Sequence, residues 1–436
     1  MSADLKSLFT ASPALASVLR PENLGAESLA RHLPWLSAPD DDVILTRQGD
    51  LMASAIVAGQ DSFTSEEAEL TLATTSLARL IGQLGEGFGF YISKLTLPDA
   101  PALKPFEGED FAGAVDRRWQ SHLAARALKR RVLLVTLILR PTVLNRMPVI
   151  GGLFRSGFVE DMGARRERLN EAMGLMSGVC QGLGFRRLTI SSGEWLGLLG
   201  VLLGQPNANI QRMPGQFIAQ GMTSLQVVFG GKQVRLATGM GTRVGTIFSV
   251  KTYPGRTWAR MLDALELPFD IVVTNSFTPA RNNEIEERIK RTARQMRASE
   301  DAAETLRQEL VEAADGVASG RLVFGKHHLS VMVTAETEQE LEDAASEVWR
   351  AGQDCGATLV RESFAARPRR LVCTSPRQLG LSAANSAGFR AELRAPCGPP
   401  PCRRRPPAIP LTLGRDNHRA ADRDLQPLSL QFPRQG

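Results

Sequence analysis

Cysteine is nearly missing from this sequence: five occur in 436 residues, and only Cys180 and Cys355 precede residue 367. Two isolated thiols exclude a disulfide framework and fit a reducing compartment. Histidine is as rare, with five copies, and no H-E-x-x-H helix, C-x-x-C pair or G-x-S-x-G elbow occurs. Hydrolase and redox chemistry of those kinds therefore has no motif to stand on. Long apolar runs are missing as well. The two most apolar stretches are "RVLLVTLILRP" (131–141) and "EWLGLLGVLLG" (194–204), far short of the roughly 20 residues that a membrane helix needs. The N-terminal residues hold no apolar core of signal-peptide type. A cytoplasmic chain with no transmembrane segment is the expectation. A phosphate-binding G-x-x-x-x-G-K-[ST] loop is absent too. Lys232 and Lys326 each follow a glycine, but Gln233 and His327 stand where the hydroxyl residue belongs.

What is present suits a globular protein. The hydrophobic fraction is 43%, and the length allows two or three domains with cores of their own. The net charge of +6 is unevenly spread. From Arg367 to Gly436 there are thirteen arginines, no lysine and four acids, a net of +9, which leaves −3 for residues 1–366. The basic character belongs to the tail alone.

A strand–helix–strand pattern recurs four times before that tail. The first unit opens on "VILTRQGDLMASAIVAG" (43–59), two extended runs about a Gln48-Gly49-Asp50 turn. A helix follows in which Thr64 and Glu67 form a capping box, and "GFGFYISKLTL" (87–97) returns as a strand. The second unit is "RVLLVTLILR", a helix over about 158–183, and "FRRLTISS" (185–192). The third is "VGTIFSVKTY" (244–253), a short helix through 257–265, and "FDIVVTNSF" (269–277). The fourth is "HHLSVMVTA" (327–335), a helix over 337–353, and "GATLVRES" (356–363). Extra helices separate the units of each pair, at 110–128 and 278–314. In the longer one, Thr278 reads as the cap and Pro279 as the first-turn residue. Its sparse stripe of Ile285, Ile289, Met296, Leu306 and Leu310 suits a helix lying on its own domain or an arm reaching a neighbouring subunit. Paired βαβ units imply an α/β (α+β) fold of two tandem ferredoxin-like split βαβ domains with helical insertions. The expected divisions are 1–210, 211–366, and a disordered Pro/Arg-rich tail over 367–436.

Several clusters invite a functional reading. Gly85, Gly87 and Gly89 follow a helix and open a strand, the reverse of a phosphate cradle, so they read as a turn. His327 and His328 are adjacent on a strand and point to opposite faces, which does not suit one metal. Asp40, Asp41 and Asp42 before a hairpin read as a solvated turn. No catalytic, cofactor-binding or metal-ligating residue is expected from these patterns.

The order of motifs nevertheless resembles a known family. "LPWLSAPDDDVILTRQGDLMASAIVAGQD" is similar to the opening of the CagE/TrbE/VirB family, the large ATPases of type IV secretion and conjugation systems. The likeness continues through "VLLVTLILRP" (132–141), "GTIFSVKTYPGRTWARMLDALELPFDIVVTNSF" (245–277) and "FGKHHLSVMV" (324–333), and covers roughly residues 30–366. It implies an N-terminal region that docks a RecA-like motor to inner-membrane subunits of the secretion channel, with possible self-association. It also implies a place at the cytoplasmic side, peripheral to the inner membrane. ATP and Mg belong to the motor, whose Walker residues have no counterpart here to be carried over. Hence this chain is expected not to be an enzyme as it stands.

Past residue 366 the periodicity stops. Eleven of the 25 prolines fall in these 70 residues, and every base is arginine. Arg, Pro, Ala and Gly are the products of GC-rich codons, so a frameshift near residue 367, and a truncated transfer ATPase, is the expectation. The alternative is a disordered basic arm that binds nucleic acid by phosphate neutralisation through runs such as Arg403-Arg404-Arg405. Only Phe389 and Phe432 are there to stack on bases. Cys397 and Cys402 lack two further ligands for a metal.

Overall fold

In the computed structural model the residues described are 27–59, 67–99, 110–124, 128–141, 155–280 and 323–362, with short gaps at 207, 223–225, 239–240 and 255–260, plus single positions elsewhere. Among them, thirteen strands form one sheet in which every pairing is antiparallel.

The first half runs β2 (Trp35–Asp40), β3 (Val43–Thr46), β4 (Leu51–Val57), α1 (Glu67–Leu84), β5 (Phe88–Pro98), α2 (Phe111–Ala124), β6 (Lys129–Leu139), α3 (Arg155–Val179) and β7 (Phe185–Arg187). The β3–β4 turn forms where expected. Gly49 takes φ +81°, and the Asp50 amide donates to Thr46 Oγ1 at 3.0 Å. The second half runs β8 (Gln226–Phe229), β9 (Val234–Thr238), β10 (Gly241–Thr252), a 3-10 turn (Met261–Leu265), β11 (Asp270–Pro279), β12 (Gly325–Ala335), α6 (Glu338–Asp354) and β13 (Thr358–Arg361).

The halves repeat each other in detail. Spatial order is β7–β4–β6–β5 in the first and β13–β10–β12–β11 in the second. In each, the first strand also shares its outer edge with a preceding hairpin partner, β3 on β4 and β9 on β10. The halves join edge to edge where β5 pairs with β11, Phe90 opposite Phe277 and Leu95 opposite Val272. An antiparallel pairing of equivalent strands relates the halves by a local two-fold, so α2 and the 278–314 insertion emerge at opposite ends of the sheet.

One face of the sheet carries helices. α1 and α3 cover the first half over Leu77, Ile81, Phe88, Leu137 and Met173. α6 covers the second over Val331, Leu341 and Val348. The N-terminus of α6 is a capping box of Thr337 and Glu340. The opposite face wraps a third core. β1 (Glu27–Ser28) pairs with β8, while β2 stands at the far end of the strand order. Only residues 29–34 link β1 to β2, a span of roughly 25 Å at most. The sheet therefore curls until its ends approach. Inside the curl lie α4 (Glu194–Val201) and α5 (Ile218–Gly221), with Trp35, Trp195, Leu199, Leu236 and Met332 packed together. α4 is the apolar stretch seen in the sequence. Every residue from Trp195 to Val201 is buried, as a helix apolar all round must be.

One expectation needs correction. Thr278 and Pro279 do not start a helix; they end β11, opposite Lys326 and Gly325. The Thr278 hydroxyl is buried and accepts from Arg140 at 3.0 Å. Strand pairing outweighs the local helix-start signal there. Beyond it the described positions between 283 and 316 are helical, with Ile285 and Ile289 half-buried; Met296, Leu306 and Leu310 lie outside the described residues. So do Thr64 and all of 367–436 except Pro376, which is buried.

Candidate functional site

The two histidines of β12 part as alternation requires. His327 Nδ1 lies 2.9 Å from Tyr253 Oη, and Nε2 lies 3.3 Å from Asn275 Oδ1. Burial, then the neighbouring His328, lowers the His327 imidazole to about 3, so it is neutral at physiological pH. Burial raises the Tyr253 phenol, which stays protonated. Ser276 Oγ donates to the His328 carbonyl at 3.1 Å. Among the described residues no three His, Cys, Asp or Glu side chains gather as a metal site.

The three acids lie at a solvent-accessible turn, but each of them has a partner. Asp40 pairs with Arg166 at 2.9 Å and Asp42 with Arg187 at 3.0 Å. Asp41 accepts from the Ser191 amide at 2.8 Å and from its hydroxyl at 2.5 Å. The β2–β3 corner is thus tied to α3, to β7 and to the loop entering α4. Both Gly-Lys pairs are structural as well. Lys232 sits in the β8–β9 hairpin, where the Gly230 amide donates to the Gln233 carbonyl at 2.9 Å. Lys326 lies within β12. Gly85 takes φ +70° after α1 and precedes β5, a turn and not a cradle.

The seam between the halves concentrates the charge. Glu266 accepts from Lys94 and lies 3.2 Å from Arg131, both in the first half. Asp270 accepts from Lys129 at 2.5 Å and from Arg243. Burial pushes the Asp270 carboxyl up, but Lys129 and Arg243 outweigh it and hold the group below its ordinary range. These pairs clamp the end of the sheet from which α2 emerges.

Among the described residues, α2 shows three large apolar side chains of one face to solvent. Phe111, Val115 and Trp119 are 85%, 51% and 55% exposed, and their spacing of four places them along one stripe. The other side of the helix holds its own entry loop. The Phe106 amide donates to Asp116 at 2.9 Å, the Gly113 amide to Asp110 at 2.9 Å, and Arg117 to the Gly108 carbonyl at 3.2 Å. Sequence reading placed this helix but missed the stripe. The four-residue spacing was visible, though such a stripe ordinarily marks a buried face. Among the described residues, no helix is long and apolar enough to cross a membrane.

Residues 188–369 match the family described as the CagE, TrbE, VirB family, component of type IV transporter system. Residues 42–145 match the type IV secretion system ATPase VirB4/TrbE, N-terminal domain. The chain belongs to the CagE/TrbE/VirB family. Protein virB4 of Rhizobium radiobacter is 26% identical over 353 residues, covering 76% of this chain and 43% of that protein. Type IV secretion system protein virB4 of Bartonella quintana is 24% identical over 367 residues, covering 80% and 45%. Its namesake in Brucella suis is 22% identical over 399 residues, covering 83% and 46%. The chain thus spans a little under half the length of the curated relatives it matches. The match over 42–145 lies in the first half, and the match over 188–369 takes in α4, α5 and the second half.

Proposed function

We propose that residues 1–366 are the N-terminal docking region of a type IV secretion or conjugal-transfer ATPase, made of two ferredoxin-like split βαβ units. The region binds inner-membrane subunits of the secretion channel, and further copies of itself, at the cytoplasmic side and peripheral to the inner membrane. These 436 residues hydrolyse no ATP, and ATP and Mg act only in a motor domain whose Walker A loop they do not contain. The observation behind the reading is the break at residue 367. Before it lie two repeats of family-like sequence, after it a lysine-free, proline-rich stretch of net +9, and no Walker A loop stands on either side. A frameshift near residue 367 accounts for that break, and the product is a truncated transfer ATPase.

The test has two arms. Pull-down of the full chain with inner-membrane channel subunits is expected to recover them, and purified chain is expected to show no ATP turnover. Failure to recover any channel subunit, or turnover that co-purifies with the chain through successive columns, overturns the reading. Reading the DNA past codon 367 in its other frames is expected to uncover a Walker A motif.

The arginine runs favour a second reading, a nucleic-acid arm. It expects DNA binding with a steep salt dependence that vanishes on deletion of residues 367–436.

A further inference from the structure

α2 folds with its largest apolar side chains turned outward, and nothing among the described residues covers them. Phe106, on the entry loop, is 52% exposed as well. His122 stacks on Trp119 at 5.7 Å between ring centroids, the rings 27° apart. The helix spans 14 residues, about 21 Å at 1.5 Å per residue. Its sequence neighbourhood is basic, although Lys129 and Arg131 are paired with Asp270 and Glu266. From Asp110 to Arg131 the sequence holds six Lys or Arg against two Asp, a net of +4 in a stretch belonging to a part of the chain whose total is −3. Arg117, Arg118 and Arg130 are exposed.

We propose that the Phe111–Val115–Trp119 face of α2 lies in the headgroup layer of an anionic membrane. The inference rests on the peripheral location proposed above and names what holds the chain there. Three properties favour lipid over a protein groove. The surface is a single convex helix and not a cleft. Its apolar stripe is rich in aromatic rings, whose bodies enter the acyl boundary while an indole N–H stays among polar headgroups. Its flanking arginines can extend long stems along the boundary and leave their charge with anionic phosphates. The charge complementarity is local, because the acidic remainder of residues 1–366 would be repelled by the same surface. The acids Glu266 and Asp270 keep the sheet end beneath α2 together by pairing with Lys94, Arg131, Lys129 and Arg243. Arg118, next to Trp119 in α2, stays exposed for the headgroups.

Co-sedimentation of the full chain with vesicles tests this. Binding is expected to vesicles of phosphatidylcholine with about one-third phosphatidylglycerol, and to fall at least about tenfold on pure phosphatidylcholine or at raised salt. A Phe111→Ser/Val115→Ser/Trp119→Ser variant should lose binding to a similar degree while its far-UV circular dichroism is unchanged, since all three side chains are already exposed. In a Trp258→Phe/Trp349→Phe background, which removes exposed Trp349, brominated lipid should quench tryptophan emission and should cease to do so once Trp119→Phe is added, because Trp35 and Trp195 are buried. Should the triple variant misfold, Trp119→Phe in that background still decides through the quenching. No sedimentation with anionic vesicles, undiminished binding by a folded triple variant, or quenching that persists once Trp119→Phe is added overturns the proposal. A triple variant that loses channel subunits in a pull-down, from a chain that never bound vesicles, assigns the face to protein and leaves the docking reading intact. Vesicle binding without recovery of any channel subunit does the reverse.

Discussion

A half-buried imidazole in a desolvated setting is a stability term with a sign. His327 drops from its ordinary 6.5 to about 3, so its neutral form is favoured in the fold. The stabilisation is complete above pH 6.5 and is lost as pH falls towards 3, where the fold must accept a charge or open. The thermal midpoint of the native chain should therefore fall more steeply over that window than that of His327→Gln; parallel curves would contradict the assignment. Alternation along β12 told which way each histidine points, but not that Tyr253 and Asn275 would meet the ring, since they arrive from 74 and 52 residues away. The Asp40–Asp42 corner teaches the same lesson. Three acids in a row look solvated until Arg166, Arg187 and Ser191 come to them from elements more than a hundred residues on. At the α6 edge, hydrogen bonds from Arg361 lead in holding Glu342 down to about 2, and that pairing too is invisible locally.

Elements inherit their tolerance from what touches them. In α4 a Cβ on Gly197 would stand 2.0 Å from the Ala208 carbonyl oxygen, a backbone atom that cannot swing aside. Gly197→Ala should cost roughly 1–3 kcal/mol by overpacking. On α3 a Cβ at Gly174 meets nothing within 4 Å, so Gly174→Ala should be neutral or gain up to about 1 kcal/mol through helix propensity. Urea midpoints of the two variants check the contrast, and equal effects would refute it. Helix existence was readable for α1, α2, α3 and α6 from period and length. The start of the 278–314 insertion was misread because Thr-Pro is a good helix opening, yet ten consecutive partners on β12 hold Asp270–Pro279 as strand. The β8–β9 hairpin hides behind "VVFGGKQV", whose Gly-Lys pair looks locally like part of a phosphate loop. Its two glycines make the turn instead.

At the scale of the molecule, the two repeats share more than a border. Trp195, Leu196 and Leu199 of α4 pack in one cluster with Ile218, Val227, Val234, Leu236, Val272 and Met332, all beyond residue 210. Residues 1–210 expressed alone should therefore lose nine of the 29 side chains of that core and fail to unfold cooperatively, whereas the full chain should give one transition by circular dichroism and by tryptophan fluorescence. A sharp, independent transition in the fragment would show that the first repeat is a self-sufficient domain. The seam adds to this unity: Glu266 and Asp270 of the second repeat hold Lys94, Arg131 and Lys129 of the first.

Local pattern and composition were enough to determine the strand–helix–strand units, their pairing into two repeats, the family likeness and the change of character at residue 367, because period, turn residues and residue usage are properties of neighbouring positions. The tertiary structure alone decided that the repeats fuse through β5 and β11, that the sheet curls until residues 29–34 bridge its ends, and that α4 is swallowed while the α2 stripe is left bare. Those outcomes depend on which apolar faces find each other across hundreds of residues, and an apolar stripe carries no local mark of whether a partner will cover it.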